Sequence, residues 1–297
     1  MSLPQRISSD IPAFVHTAAA PEANPAAVTL LTEDGFPLGG TRWLAGGESR
    51  GVVLIAPATG APHRFYVPFA EFLARKGFDT LTWDWRGIGD SRHETSSRDP
   101  RLTMRAWGTE DLSAAIAWAE RRAPDRPIYF VGHSFGAQAL GLATNASRVS
   151  RAVFVGGHHG WLGHWPTTKR PALQFLWRVL VPLGSMLLGR FPSSKLGLGE
   201  DLPEGVAREL AAWCRRREHL GTWEGHAMLD LPILALSFAD DRIAPRTAVD
   251  ALVREYRSAR VVREHHADDP LGHFDFFRQG YAERHWQRVV TFLLSAV

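Results

Sequence analysis

The stretch Gly132-His133-Ser134-Phe135-Gly136 decides how this sequence folds. It follows a short apolar run, Ile128 to Val131, and precedes a helix-forming stretch, Ala137 to Ala146. A Gly-x-Ser-x-Gly motif between a strand and a helix predicts a sharp turn that presents the serine hydroxyl near the N-terminus of that helix. The glycines let the neighbouring backbone pass close to such a strained turn. The pattern indicates a nucleophile at Ser134 if an acid and a histidine follow it along the chain.

The composition is that of a globular protein with little net charge. The chain has 297 residues, of which 45% are hydrophobic, and a formal net charge of +3. Its basic residues are scattered except for Arg215–Arg217, where we expect a solvated helix end and no nucleic-acid binding. The single cysteine, Cys214, excludes an internal disulfide, fits a reducing compartment and is predicted to be a packing residue.

No targeting or membrane segment is expected from the sequence. The N-terminal residues carry Asp10 and prolines where a secretion signal needs a basic start and an apolar core. The most apolar stretch, Phe175 to Leu188, is interrupted by Arg178 and Pro182 and falls short of the roughly 18 uninterrupted apolar residues of a membrane span. We therefore expect a soluble, cytoplasmic protein without stable membrane insertion.

Strand-forming and helix-forming segments alternate along most of the chain. Residues 1–27 are predicted to form an extended arm, and 28–31 with 38–44 a hairpin. Short apolar runs that alternate with helical periods predict an α/β fold, a doubly wound and mostly parallel sheet with helices on both faces. Further strands are expected at 52–56, 78–83, 128–131, 152–155, 233–238 and 260–265, and helices at 65–76, 104–122, 137–146, 245–256 and 281–294.

The alternation breaks between residues 157 and 229. We predict a mostly helical insertion there, which covers the strand ends as a cap, and a core made of 28–156 and 230–297. One insertion helix is expected to start with a capping box, with Asp201 as the cap, Pro203 in the first turn and Glu204 three residues on. The insertion is rich in tryptophan, and we expect the indoles to form its small core and to line an apolar pocket: Trp161, Trp165, Trp177, Trp213 and Trp223.

Candidate partners for Ser134 follow the last two strands. Ligands bind outside the carboxyl ends of the strands of an open parallel sheet. Asp240-Asp241 follows the strand 233–238, and His273 follows the last strand, so the chain order is serine, aspartate, histidine. A histidine can take the serine proton during attack and return it to the leaving group, and a buried carboxylate orients that histidine. The acid could be Asp240 or Asp241, or one of the pair Asp268-Asp269.

These features together resemble the α/β-hydrolase superfamily over residues 28–297. The motifs that carry the resemblance are the Ser134 turn, the stretch Asp84 to Ser91, Asp241 four residues before Pro245, and Gly272-His273. The resemblance implies that Asp241 is the acid. A closer likeness, to bacterial predicted hydrolases grouped with serine aminopeptidase-like and monoacylglycerol-lipase-like enzymes, rests on two more stretches, Pro57 to Gly60 and Leu196 to Pro203.

Two backbone N–H groups are expected to bind the oxyanion of the reaction. One belongs to Phe135, the residue after the nucleophile. The other is expected in the loop after the strand 52–56, where many relatives carry His-Gly-x and this chain carries Pro57-Ala58. The resemblance therefore implies Thr59 as the second donor, with Ala58 as the alternative.

Other histidines near these motifs are assigned no catalytic role. Adjacent residues on a tight turn diverge, so His133 is expected to pack or hydrogen-bond beside the turn. The groups 158–164 and 265–269 supply metal-ligand types but lack the helical His-x-x-x-His spacing of zinc enzymes. We predict no metal and no cofactor.

The sequence thus predicts a serine hydrolase with the triad Ser134, Asp241 and His273. The apolar insertion favours a small-molecule substrate, an ester of a hydrophobic acyl or alcohol group. An amide or peptide bond is the second possibility, and acyl transfer to an acceptor other than water is the third, because all three use the same triad. A catalytically silent binding protein on the same fold is a fourth hypothesis, which the intact triad disfavours.

Overall fold

A computed structural model describes residues 24–93, 96–218, 224–280 and 283–295. Its strands are, in chain order, β1 (Asn24–Leu31), β2 (Pro37–Leu44), β3 (Val52–Ala56), β4 (Asp79–Trp83), β5 (Ile128–His133), β6 (Val149–Val155), β7 (Arg190–Phe191), β8 (Leu202–Pro203), β9 (Pro232–Phe238) and β10 (Arg260–His266). Its helices are α1 (Val67–Arg75), α2 (Met104–Ala106), α3 (Ser113–Arg122), α4 (Phe135–Ala139), α5 (Arg170–Phe175), α6 (Val181–Leu188), α7 (Glu204–Arg215), α8 (Gly225–Met228), α9 (Arg246–Glu255) and α10 (Glu283–Leu294).

One eight-stranded sheet organises the molecule, in the order β1-β2-β4-β3-β5-β6-β9-β10. β1 and β2 form the predicted antiparallel hairpin, and β2 also runs antiparallel to β4. The remaining neighbours are parallel. The predicted fold class, a mostly parallel sheet with helices on both faces, is confirmed.

Helices cover both faces of the sheet, which is why its central strands are apolar throughout. In β3, Val53 and Ile55 point to the face that packs against α1 and α10, whereas Val52 and Leu54 point to the opposite face. All five residues of β3 are buried. The continuous apolar runs that predicted buried parallel strands thus have a physical cause.

Several boundaries differ from the sequence predictions. β1 begins at Asn24, inside the predicted arm, and residues 1–23 lie outside the described part. The helix after Ser134 was predicted to extend from 137 to 146, but α4 covers Phe135–Ala139 and a 3-10 turn, Leu140–Leu142, follows it. The predicted helix over 104–122 is continuous, with a π-helical turn at Trp107–Leu112 between α2 and α3.

The predicted capping box at Asp201 is wrong. Pro203 caps α7 and makes no side-chain capping bond, because 202–203 is extended and pairs with β7. This extended pair carries Asp201 away from the helix end. Its carboxylate instead accepts hydrogen bonds from the backbone N–H (3.2 Å) and the hydroxyl (2.5 Å) of Ser194.

The segment between β6 and β9 contains one long apolar helix. α5 and α6 are joined by a π-helical turn, Leu176–Leu180, into a run of 19 residues, Arg170–Leu188. Among the described residues, it is the one helix whose length and composition would suffice to cross a membrane. Most of it is exposed, and its exposed large apolar residues are Phe175, Val179, Leu180, Leu183, Met186, Leu187 and Leu188.

Candidate active site

Ser134 lies on a strained turn between β5 and α4. Its backbone has φ 53° and ψ −115°, and it is the one non-glycine residue with positive φ in the described ranges. A Cβ on Gly136 would lie 2.2 Å from the carbonyl oxygen of Ala56 in β3, and one on Gly132 would lie 2.6 Å from the backbone nitrogen of Ala137. The two glycines therefore let α4 pack directly against the sheet, and this packing maintains the strained turn.

His273 and Asp241 form a buried pair near this turn. The Nδ1 of His273 lies 2.7 Å from Oδ2 of Asp241, and the two side chains are 4% and 1% exposed. The other carboxylate oxygen, Oδ1, accepts hydrogen bonds from the backbone N–H groups of Ile243 (2.9 Å) and Ala244 (2.8 Å). Asp241 is thus fixed by its own loop with one oxygen directed at the imidazole.

The electrostatics of Asp241 favour its ionised form. Burial alone would raise the pKa of its carboxyl group. The hydrogen bond and charge of His273, together with the N–H of Ala244, outweigh burial and lower that pKa. An ionised carboxylate on Nδ1 keeps the proton on that nitrogen and leaves Nε2 of His273 as the basic atom.

The other candidate acids lie elsewhere. Asp240 and Asp268 are exposed. Asp269 contacts His266 and His285. Of the candidate carboxylates, Asp241 is the one brought to His273.

A cavity of about 270 Å³ joins Ser134 and His273. Its lining is largely apolar, and much of it comes from the segment between β6 and β9: Trp165, Leu173, Leu176, Trp177, Val181, Phe191, Leu198, Leu202, Leu210 and Cys214. Phe135 and Thr59 also line it. The nucleophile candidate, the imidazole and both candidate oxyanion residues therefore face one apolar space.

The loop after β3 distinguishes the two candidate second donors. The backbone N–H of Ala58 donates to the hydroxyl oxygen of Tyr66 at 2.9 Å. The N–H of Ala58 is therefore engaged within the fold, although both Ala58 and Thr59 line the cavity. This contact favours Thr59 over Ala58 as a donor to a bound group.

His133 packs behind the turn, as the divergence argument predicted. Its Nδ1 lies 2.8 Å from the hydroxyl of Tyr66, and its Nε2 lies 2.9 Å from the carbonyl oxygen of His273. Burial and the nearby charge of His273 hold the pKa of His133 well below its usual range. The neutral imidazole therefore links Tyr66, which directly precedes α1, to the loop of His273.

The comparisons with known proteins agree with this fold. A family model for the alpha/beta hydrolase fold matches residues 51–180. The esterase EaEST from Exiguobacterium antarcticum superposes with a TM-score of 0.61 at 14% identity, covering 91% of this chain and 100% of that one. The DcsB structure, a complex with a substrate analogue, gives a TM-score of 0.65 at 17% identity, covering 91% of this chain and 98% of that one.

The chain has the α/β-hydrolase fold. The chain is also similar to the lysophosphatidylserine lipase ABHD12 from Gallus gallus, with 34% identity over 106 residues. That match covers 34% of this chain and 24% of the lipase. The chain thus aligns with about a quarter of the length of this curated relative.

The sequence analysis assigned no place in this site to two residues that shape it. Gly156 has φ +58°, and a Cβ there would lie 3.1 Å from Oδ2 of Asp241 and 3.2 Å from the His273 ring. His158 lines the cavity, with its ring centroid 5.8 Å from that of His273 and its Nδ1 3.0 Å from the carbonyl oxygen of Gly156. Both residues follow the carboxyl end of β6, where ligands bind to a parallel sheet, and this position could have indicated that they belong to the site.

Some of the tryptophans predicted in the insertion line the cavity, and others pack against neighbouring rings. Trp165 and Trp177 line the cavity, and Trp213 stacks on Phe135 with ring centroids 6.3 Å apart. Cys214 is buried beside them, and burial raises the pKa of its thiol to about 12. Trp161 packs edge-on against His164, and Trp223 lies outside the described residues.

Proposed function

We propose that this protein is a serine hydrolase that cleaves an ester of a hydrophobic acyl or alcohol group. The observation that carries the proposal is the buried His273–Asp241 pair, whose imidazole lines the same apolar cavity as Ser134. In this proposal Ser134 is the nucleophile, His273 the general base and acid, and Asp241 the orienting carboxylate. The backbone N–H groups of Phe135 and Thr59 bind the oxyanion.

The reaction would proceed in two steps, acylation of Ser134 and hydrolysis of the acyl-enzyme. Ser134 Oγ attacks the ester carbonyl carbon, and Nε2 of His273 takes the hydroxyl proton. The tetrahedral intermediate collapses, and the alcohol leaves with the proton from His273. Water then attacks the acyl-enzyme by the same proton transfers, which releases the acid and restores Ser134.

The apolar lining supports a hydrophobic group on one side of the scissile ester. Most of the cavity wall is aliphatic or aromatic, and the cavity holds about 270 Å³. The partial similarity to a lysophosphatidylserine lipase, whose name describes a lipid ester, agrees with this substrate class. An amide or peptide substrate, or transfer to another acceptor, would use the same residues.

We propose that residues 157–229 form a cap over this cavity and that the helix Arg170–Leu188 belongs to it without spanning a membrane. Leu173, Leu176 and Trp177 of this helix line the cavity. A helix inserted in a bilayer could not provide this wall next to Ser134. The protein should therefore remain in the supernatant when membranes are sedimented, and recovery only with detergent would contradict this.

Labelling with a fluorophosphonate probe tests the nucleophile directly. The wild-type protein should be labelled at Ser134, and Ser134→Ala and His273→Ala should each abolish labelling. His133→Ala is the matched control and should still be labelled. His133 lies on the same turn but contacts Tyr66 and the His273 carbonyl. Absence of labelling in folded wild-type protein would contradict the proposal that the protein is a serine hydrolase.

A substrate panel tests the bond type. We expect p-nitrophenyl esters to be cleaved with a preference that rises with acyl length until the cavity is filled, and free-amine peptides to be poor substrates. A preference for aminopeptidase substrates would overturn the ester assignment and leave the nucleophile assignment intact. Partition of the acyl group to added alcohols would indicate acyl transfer.

A further inference from the structure

Two imidazoles and a carboxylate converge outside the cavity, where β10 ends. His266 is the last residue of β10, Asp269 lies in the loop that follows, and His285 lies near the start of α10. Oδ2 of Asp269 is 3.4 Å from Nδ1 of His266 and 3.3 Å from Nε2 of His285. Each residue offers one ligand atom, and these atoms lie within 4.8 Å of one another.

The two separations from Asp269 match those of neighbouring ligands around a tetrahedral metal ion. Zn²⁺ lies about 2.0–2.1 Å from histidine nitrogen and carboxylate oxygen, so neighbouring ligand atoms in a tetrahedral site are roughly 3.3 Å apart. We propose that His266, Asp269 and His285 bind a Zn²⁺ ion, with water as the fourth ligand. Two imidazoles and a carboxylate form a nitrogen-rich set, which suits Zn²⁺ better than Mg²⁺ or Ca²⁺.

Neighbouring rings hold both imidazoles in place. Phe238 of β9 stacks on His266, with centroids 5.4 Å apart and planes at 21°, and meets His285 edge-on at 5.6 Å. The His285 side chain is 4% exposed. Imidazoles held by packing lose little conformational entropy when they bind a metal, so the site is largely preformed.

The residues around these three side chains are also compatible with a bound metal ion. Nε2 of His266 is buried, has no hydrogen-bond partner among the described residues and lies 3.8 Å from Oε2 of Glu264. A carboxylate that accepts the N–H of the far nitrogen fixes the tautomer of a ligating histidine and strengthens it as a ligand. Glu264 is the nearest carboxylate to this nitrogen, and it would have to move closer than 3.8 Å to accept that bond. Arg288 binds the other oxygen of Glu264, and Arg284 binds Oδ1 of Asp269, which leaves Oδ2 for the imidazoles. The two guanidinium charges moderate the affinity for a cation.

The position of the ion implies a structural role. None of its three ligands lines the cavity of Ser134. The ion would join the end of β10 and the start of α10 to the loop that leads from Asp269 to His273. Sequence reasoning excluded a metal here because it considered 265–269 alone, and His285 joins the cluster only through the fold.

Titration of the full-length, tag-free protein with Co²⁺ tests the site, because tetrahedral Co²⁺ absorbs visible light. After treatment with EDTA and buffer exchange, wild type should bind about one Co²⁺ per chain with intense visible bands, and Zn²⁺ should displace it. Zn²⁺ should also raise the midpoint of thermal unfolding. His266→Gln and Asp269→Asn should lose the bands and the thermal shift.

Two further variants sharpen the test. His265→Gln is the matched control, since the neighbouring imidazole faces Ser237 at 2.8 Å, and it should keep the bands. Glu264→Gln should weaken Co²⁺ binding by about 10- to 100-fold. Asp269→Asn is nearly isosteric and carries the test if His266→Gln fails to fold. A wild-type protein without bands, or bands that persist in Asp269→Asn, would overturn the proposal.

Discussion

The backbone N–H of Glu200 donates a 2.7 Å hydrogen bond to the carbonyl oxygen of Gly60. Gly60 follows Thr59, the proposed second oxyanion donor. The Glu200 carboxylate accepts a 3.0 Å hydrogen bond from the backbone N–H of Gly89 and pairs with Arg64 and Arg92. Glu200, in the segment between β6 and β9, therefore links the loop after β3 to the turn after β4.

Glu200→Ala should impair catalysis because it removes the side-chain contacts to Gly89, Arg64 and Arg92, although the backbone bond to Gly60 remains. Because Glu200 acts as a positioning residue, we expect kcat on a p-nitrophenyl ester to fall about tenfold with KM nearly unchanged. That effect is smaller than the 10²–10³ loss typical when an oxyanion donor is removed outright. Steady-state kinetics on the purified variant measure both parameters.

Two further variants, Glu200→Gln and Arg64→Gln, distinguish the hydrogen bond to Gly89 from the ion pair with Arg64. Glu200→Gln keeps an acceptor for the N–H of Gly89 and should restore most of kcat. Arg64→Gln should have little effect, since exposed ion pairs contribute little. Equal losses of kcat in Glu200→Ala and Arg64→Gln would mean that the ion pair, and not the bond to Gly89, supports the loop.

Asp241→Asn should lower kcat by about 10⁴, because an amide no longer holds His273 in the productive tautomer. Asp240→Asn is the matched control. Asp240 is adjacent and exposed, and its loss should change kcat little. If Asp240→Asn were the more damaging variant, the assignment of the acid would be wrong. Kinetics and circular dichroism of both variants give the comparison.

The sequence was sufficient for the fold, and local patterns were sufficient to place Ser134, the pair Asp240-Asp241 and His273 after strands of the sheet. The choice of Asp241 within that pair came from the family resemblance and stays a prediction. Apolar runs predict buried strands, and chemistry follows their carboxyl ends. It was insufficient for Asp201, because the extended pairing of Leu202 with Phe191 is a tertiary effect. It was likewise insufficient for His285, whose neighbours in space are remote along the chain.

Gly156→Ala should damage both stability and activity. A non-glycine residue in the left-handed region costs about 1–2 kcal/mol. At φ +58° the new Cβ would also lie 3.1 Å from Asp241 Oδ2 and 3.2 Å from His273. Either the carboxylate or the imidazole must move, so we expect kcat to fall by at least about tenfold. Chemical denaturation and ester kinetics measure the two effects.

Gly197→Ala provides the control for this substitution. Gly197 has φ +68°, and a Cβ there would meet nothing within 4 Å. It should therefore lose a similar amount of stability from backbone strain while kcat stays near that of the wild type. A Gly156→Ala variant with wild-type kcat would show that the pair tolerates the added methyl group.

His158 should make the protein less stable at acidic pH. Burial, and then the charge of His273, lower the pKa of His158 to about 4, whereas an unfolded histidine has a pKa of about 6.5. Between these values the unfolded chain binds a proton that the folded protein does not. The free energy of unfolding therefore falls as the pH falls through this window.

His158→Asn removes this titration and should flatten the decline by up to about 1.4 kcal/mol per pH unit. His159, whose pKa burial also lowers to about 4, remains in the variant, so the decline should become shallower without disappearing. Urea unfolding at several pH values between 7 and 4.5 gives the two slopes. Parallel slopes for variant and wild type would mean that the buried imidazole takes up its proton in the folded protein as readily as in the unfolded chain.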